Sequence, residues 1–112
     1  MTTESARISF EDFKKVELKV AEVLSVQNHP NADKLYVLKI DVGGEQRQIV
    51  AGLRPYYTPE QLQGRTIVVV ANLEPALLRG VESQGMLLAA QDGPKVLLLQ
   101  PDAPAAPGAQ VR

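Results

Sequence analysis

The chain has 112 residues, 45% hydrophobic and 22% charged, with 12 Lys and Arg against 13 Asp and Glu, one His and no Cys. That length supports one hydrophobic core and not two, and the lack of cysteine excludes disulfides, thiolate zinc and thiol catalysis. The near-neutral balance excludes the overall basic excess of a strong nucleic-acid binder, so any RNA binding must rest on a local patch.

No apolar run approaches the length that spans a bilayer, and the opening MTTESARISF has neither the basic start nor the apolar core of an export signal. The sequence therefore predicts a cytoplasmic protein with no membrane partner. Residues 1–7 are polar and expected to be disordered, leaving one folded unit over residues 8–112. Ser9, followed three residues later by Asp12, resembles a helix-starting cap and predicts a short helix over residues 11–15. Phe10 and Phe13 fall on one side of it, either plugging one end of the core or packing against a second subunit.

Over residues 16–26 the even positions Val16, Leu18, Val20, Leu24 and Val26 are apolar, the alternation of a half-buried strand. The pattern falters at residues 21–23, where the inward phase carries Glu22, which predicts a bend or bulge. His29, next to Pro30, is read as a turn residue rather than a ligand or base. Residues 34–42 alternate again, with Tyr36, Leu38, Ile40 and Val42 on one face. Gly43 and Gly44 supply a tight hairpin turn into a partner strand over residues 45–51. After a loop over residues 53–57, Thr58, Pro59 and Gln61 set a helix cap, a pre-fixed first residue and a polar third position, with the helix ending at Gly64.

Two short apolar runs, residues 67–71 and 86–90, read as buried strands. Between them lies a polar connector holding Asn72, Pro75, Arg79, Gly80, Ser83, Gln84 and Gly85, read as a surface loop, the usual place for binding residues. A sixth strand is expected over residues 95–99. Three strands, a short helix and two more strands is the order of an OB-fold. The predicted class is thus all-β with short helices: an OB-fold barrel of five strands plus a C-terminal extension.

No nucleophile and base pair, phosphate-cradling glycine loop or ligand cluster is visible, so no catalytic residue, metal or cofactor is assigned and no enzymatic activity is expected. Of the five aromatics only Tyr56 and Tyr57 lie in a loop. That is too few for a generic single-strand binder, which stacks bases on aromatic platforms. Shape-based recognition of folded RNA through its backbone agrees better.

Five blocks carry a family resemblance: DFKKVELKV at residues 12–20, HPNADKL at 29–35, RQIVAG at 47–52, NLEPALLRGVESQGM at 72–86 and PGAQVR at 107–112. Together they resemble the tRNA-binding domain found at the end of many methionyl-tRNA synthetases, in free-standing bacterial tRNA-binding proteins and in the endothelial-monocyte-activating polypeptide. The resemblance spans residues 8–112. It implies a non-catalytic protein that binds the outer corner of tRNA by shape, with tRNA, a second copy of the chain and methionyl-tRNA synthetase or another synthetase as partners. Carried over residue by residue, it implies tRNA contacts from Lys34, Asn72, Arg79, Ser83, Gln84, Gly85 and Met86, with Lys19 standing where relatives often have Arg. It also implies that the Pro- and Ala-rich tail over residues 101–112 is ordered and helps pair two barrels.

A lone barrel would expose both phases of residues 67–71 and 96–99, so a homodimer is expected, with Phe10, Phe13, Val69, Leu97 and Leu99 at its interface. The chain departs from the family where relatives commonly carry NLKPRK: here stand Glu74, Ala76 and Leu77. Three cations lost and one anion added per subunit imply weak, salt-dependent binding. The competing reading is a dimerisation or protein-interaction module, like export-chaperone relatives of the same fold, with RNA binding weak or lost.

Overall fold

The computed structural model describes residues 6–112 of the chain. The disorder expected of residues 1–7 thus falls, for residues 1–5, outside the described residues; Ala6 and Arg7 are exposed and in no regular element. The first helix, α1 (Phe10–Phe13), starts where Ser9 Oγ accepts the Asp12 N–H at 3.0 Å. Phe10 is 69% exposed and Phe13 41%, so neither ring plugs the core. That place is taken by Leu62, fully buried in α2 (Pro59–Leu62). The start of α2 is a capping box: Gln61 Oε1 accepts from the Thr58 N–H at 2.8 Å and Thr58 Oγ1 from the Gln61 N–H at 3.3 Å.

One antiparallel sheet forms the body. Its path runs β3 (Gln46–Ala51), β2 (Tyr36–Asp41), β1 (Leu18–Asn28), β4 (Thr66–Val70), β7 (Met86–Leu87). Gly43 and Gly44 join β2 to β3 with φ of +103° and +85°, and both their N–H groups donate to Asp41 Oδ1. The bulge expected near residues 21–23 lies between Val23 and Ser25, and it changes the face of the strand. Before it the odd residues Ala21 and Val23 point into the core, and after it Val26 does. A bulge adds one residue to a period of two, which is why the even-phase reading of β1 holds only in its second half.

The core cluster comprises Ala21, Val23, Tyr36, Leu38, Ile40, Val42, Ile49, Ala51, Leu53, Leu62, Ile67, Val69 and Leu98. Residues 67–71 are buried on both phases within one chain, which corrects the expectation that one phase is left for a partner. Val69 in particular is 1% exposed inside the barrel and is not available at a dimer interface. The run 86–90 is not one strand: it breaks at Leu88, whose N–H donates to the Val68 carbonyl at 3.0 Å. The chain then continues as a separate hairpin of β8 (Ala89–Asp92) and β9 (Lys95–Leu98).

The tail is ordered against the body. β1 loses its partner β2 beyond the Glu22–Asp41 pair, and β10 (Gln110–Val111) takes the vacated edge opposite Leu18 and Lys19. Gly108 donates to the Val20 carbonyl at 2.7 Å, and Val20 donates to the Ala109 carbonyl at 2.9 Å. The approach needs two glycines. A Cβ on Gly43 would lie 2.8 Å from the Gly108 Cα, and one on Gly108 would lie 2.9 Å from the Gly43 Cα.

Candidate nucleic-acid interface

The connector over residues 72–86 is not an irregular loop. It carries a hairpin of β5 (Ala76–Leu78) and β6 (Val81–Ser83), turned by Arg79 and Gly80 at φ +53° and +90°. Positive φ at both central positions is the geometry of a two-residue hairpin turn whose twist matches its strands. The sequence signal was Arg79-Gly80 between two short apolar stretches, masked by the prolines and polar residues around it.

The base of the hairpin is stitched to β3, the free edge of the main sheet. Ser83 Oγ accepts the Val50 N–H at 2.9 Å and donates to the Gly85 carbonyl at 3.0 Å. Gln84 accepts the Gln48 N–H at 3.1 Å through Oε1, while its own N–H donates to the Gln48 carbonyl at 2.8 Å. Gln48 Nε2 reaches the Glu82 carbonyl at 2.9 Å. Those bonds pair the exposed N–H and C=O groups of an edge strand and close the curled sheet into a barrel. Gly85 sits in the seam at φ +142°, where a Cβ would come 3.0 Å from the Val70 carbonyl oxygen.

The geometry divides the expected tRNA contacts. Ser83 is 4% exposed with its hydroxyl committed, and Gln84 and Gly85 are half-buried in the seam, so all three help to build the barrel. Asn72 is similarly engaged: its Oδ1 accepts the Glu17 N–H at 2.8 Å and its Nδ2 donates to the Lys15 carbonyl, tying the segment after α1 to the end of β4. Lys19 is half-buried in β1, on the side of Arg47 and Glu45. Arg47 bridges the barrel end by donating to Glu45 at 2.7 Å and to the Ala71 carbonyl. That guanidinium holds the Glu45 carboxyl below its usual value, and the charge of Lys19 adds a smaller pull in the same direction.

Arg79, Lys34 and Met86 remain exposed. Arg79 and Lys34 gather at one end, because Arg79 Nη2 donates at 3.3 Å to the carbonyl of Asn31, in the turn that also carries Lys34. Met86, 49% exposed, lines a groove of about 260 Å³ with Val50, Leu73, Glu74, Ala76 and Leu78. Tyr56 is exposed and Tyr57 is not free: its hydroxyl donates to the Val96 carbonyl at 3.1 Å and accepts the Leu98 N–H at 3.3 Å. Sequence reasoning passed over Arg47 and Gln48, whose signal was a polar run at residues 46–48 heading an otherwise apolar strand. His29, read from the sequence as a turn residue, does stand in the turn but is buried. Among the described residues no group of three or more His, Cys, Asp or Glu could hold a metal ion, and no helix is long and apolar enough to cross a membrane.

A small curled barrel whose free edge is closed by a hairpin with a cation at its tip is an OB-like module of the kind that presents loops to nucleic acid. The chain belongs to the tRNA-binding domain family, whose model, described as "Putative tRNA binding domain", matches residues 18–110. It is 62% identical over 105 residues to the methionine–tRNA ligase of Pyrococcus furiosus, covering 94% of this chain and 14% of that protein. It is 52% identical over 111 residues to that of Thermotoga maritima, covering 99% of this chain and 18% of that one. The chain thus spans less than a fifth of those relatives' length. Among solved structures, a MetRS-related protein from Pyrococcus horikoshii superposes with TM-score 0.89 at 35% identity, over 96% of this chain and all of that one. The chaperone CsaA of Bacillus anthracis does so with TM-score 0.85 at 30% identity, over 96% and 100%.

Proposed function

We propose that the chain is a non-catalytic domain that binds folded tRNA by its shape in the service of methionyl-tRNA synthetase, acting in the cytoplasm as a homodimer. The observation that carries this reading is the hairpin tip: a β5–β6 hairpin stitched to β3 holds Arg79 in solvent against the turn that also carries exposed Lys34, and cations so presented suit phosphates rather than base edges. Among the described residues the exposed aromatic rings are Phe10 and Phe13 of α1 and Tyr56, few platforms for stacking unpaired bases, which supports recognition of shape over sequence. Between residues 72 and 86 stand one cation, Arg79, and two anions, Glu74 and Glu82, so affinity is weak. With two to four phosphate contacts, log affinity falls against log salt with a slope of roughly −1.5 to −3.5. Residues 101–112 and α1 serve pairing: a groove of about 510 Å³ lies between Phe10, Phe13, Val16 and Val111, and Leu97 and Leu99 are exposed on the far hairpin.

The likeness to CsaA supports a second reading, a dimeric interaction module with RNA binding weak or lost. Titration of the chain with tRNA, an unstructured RNA of equal length and an RNA duplex separates the two. The first reading predicts preference for tRNA, and equal affinity for tRNA and the unstructured RNA contradicts it.

A further inference from the structure

His29 is 3% exposed, and both its ring nitrogens are engaged. Nε2 lies 2.9 Å from the Leu78 carbonyl oxygen, and Nδ1 lies 2.9 Å from the Asn31 N–H. A carbonyl oxygen can only accept and an amide N–H can only donate. The ring is therefore the neutral tautomer with its hydrogen on Nε2. Leu78 immediately precedes Arg79, whose left-handed φ of +53° is unusual for a residue with a side chain and persists only where the surroundings over-determine it. Here they do. The Leu78 carbonyl is pinned by His29, the Arg79 guanidinium donates to the Asn31 carbonyl, and the Asn31 N–H returns to His29.

A closed ring of hydrogen bonds thus joins the hairpin tip to the turn over residues 29–35. The same turn is drawn together by the His29 N–H donating to the Leu35 carbonyl at 3.1 Å, which fixes the base of Lys34. One buried imidazole links the hairpin tip that carries Arg79 to the turn that carries Lys34. We propose that His29 is a positioning residue for RNA binding, holding the hairpin tip that carries Arg79 against the turn that carries Lys34, so that both cations face the RNA backbone together. The inference rests on the tRNA-binding reading and assigns within it a role to a residue that touches no RNA.

The side-chain geometry supplies a paired test. His29→Asn keeps an acceptor near the Nδ1 position, and so the turn, but loses the reach to Leu78; His29→Gln keeps a donor near the Nε2 position, and so the latch. Titrations with tRNA at two salt concentrations on the full chain should show Arg79→Ala about tenfold weaker, as expected for one charge-assisted contact, with its salt slope reduced by about 0.7 to 0.9. His29→Asn should lose a similar factor and add nothing in the Arg79→Ala background, whereas His29→Gln stays within about twofold of the parent. Independent, multiplying losses from His29→Asn and Arg79→Ala overturn the proposal, as does wild-type affinity in His29→Asn alongside a weakened Arg79→Ala. If Arg79→Ala itself changes nothing, the RNA-facing reading of the hairpin fails and the positioning role goes with it. Should His29→Asn fail to fold, the imidazole nitrogen spectrum of the parent chain decides: a hydrogen on Nε2 supports the latch, and one on Nδ1 refutes it.

Discussion

Asn72 and Ser83 stand inside the family's signature block, yet the groups they offer are spent on the chain itself. Replacing Ser83 with Ala leaves the buried Val50 N–H unpaired, which costs about 1–3 kcal/mol. In a domain of this size each kcal/mol lowers Tm by roughly 4–8 °C. Thermal unfolding of Ser83→Ala should therefore show a drop of that order, while tRNA affinity of the folded protein stays near that of the parent. Asn72→Ala should likewise loosen the segment after α1 by releasing Glu17 and Lys15, read as faster amide exchange there. Glu45 gives a pH signature. Its folded pKa is lowered by Arg47, so the pair's contribution is present above the ordinary carboxylate pKa and fades as pH falls through the lowered folded value. Because the carboxylate is exposed, the check is the titration itself: the Glu45 midpoint should rise toward the ordinary value in Arg47→Ala.

At the scale of elements, β5–β6 converts a loop into a platform, and of the three positions where the family resemblance implies cations, Ala76 and Leu77 lie in β5 and Glu74 just before it. Glu74, Ala76 and Leu77 are all exposed, Leu77 by 72%, so Glu74→Lys, Ala76→Arg and Leu77→Lys together should leave the fold intact. They should tighten tRNA binding and steepen the salt slope; Glu74→Lys alone should do so in smaller measure, and unchanged affinity in both would move the RNA face off the hairpin. The Thr58–Gln61 capping box, the Gly43–Gly44 turn and the β2 face were legible because each is written in adjacent residues with a single physical meaning. The inward face of early β1 was not, since the bulge that sets it depends on pairing with β2. The hairpin was not, because its strands are three residues long and held by Gln48 and Val50 from β3, a partner far away in sequence. His29 was read as a turn residue, and it is one, but what its ring latches becomes visible only once Leu78 is folded back beside it.

For the whole molecule, burial of residues 67–71 within one chain removes the argument that this strand needs a partner, and leaves the exposed apolar residues in three stretches of the chain: Ile8, Phe10, Phe13 and Val16; Leu73, Leu77, Leu78 and Met86; and Leu97 and Leu99. Phe10→Ser with Phe13→Ser should halve the mass seen by light scattering at micromolar concentration if α1 and the tail pair two barrels; an unchanged dimer would place the interface on the β8–β9 hairpin instead. If two barrels pair, they double the number of cations available to one tRNA, a gain in avidity that a net charge of −1 per chain would make consequential. The order of the tail along β1 and the closure of β3 by the Ser83–Gly85 seam make each barrel a rigid body, so recognition depends on where its cations stand. The most direct test is competition between tRNA and an unstructured RNA of equal length, followed across salt. The account predicts that tRNA wins and that its affinity falls with a log–log slope of roughly −1.5 to −3.5. Equal affinities, or a slope near zero, would contradict it.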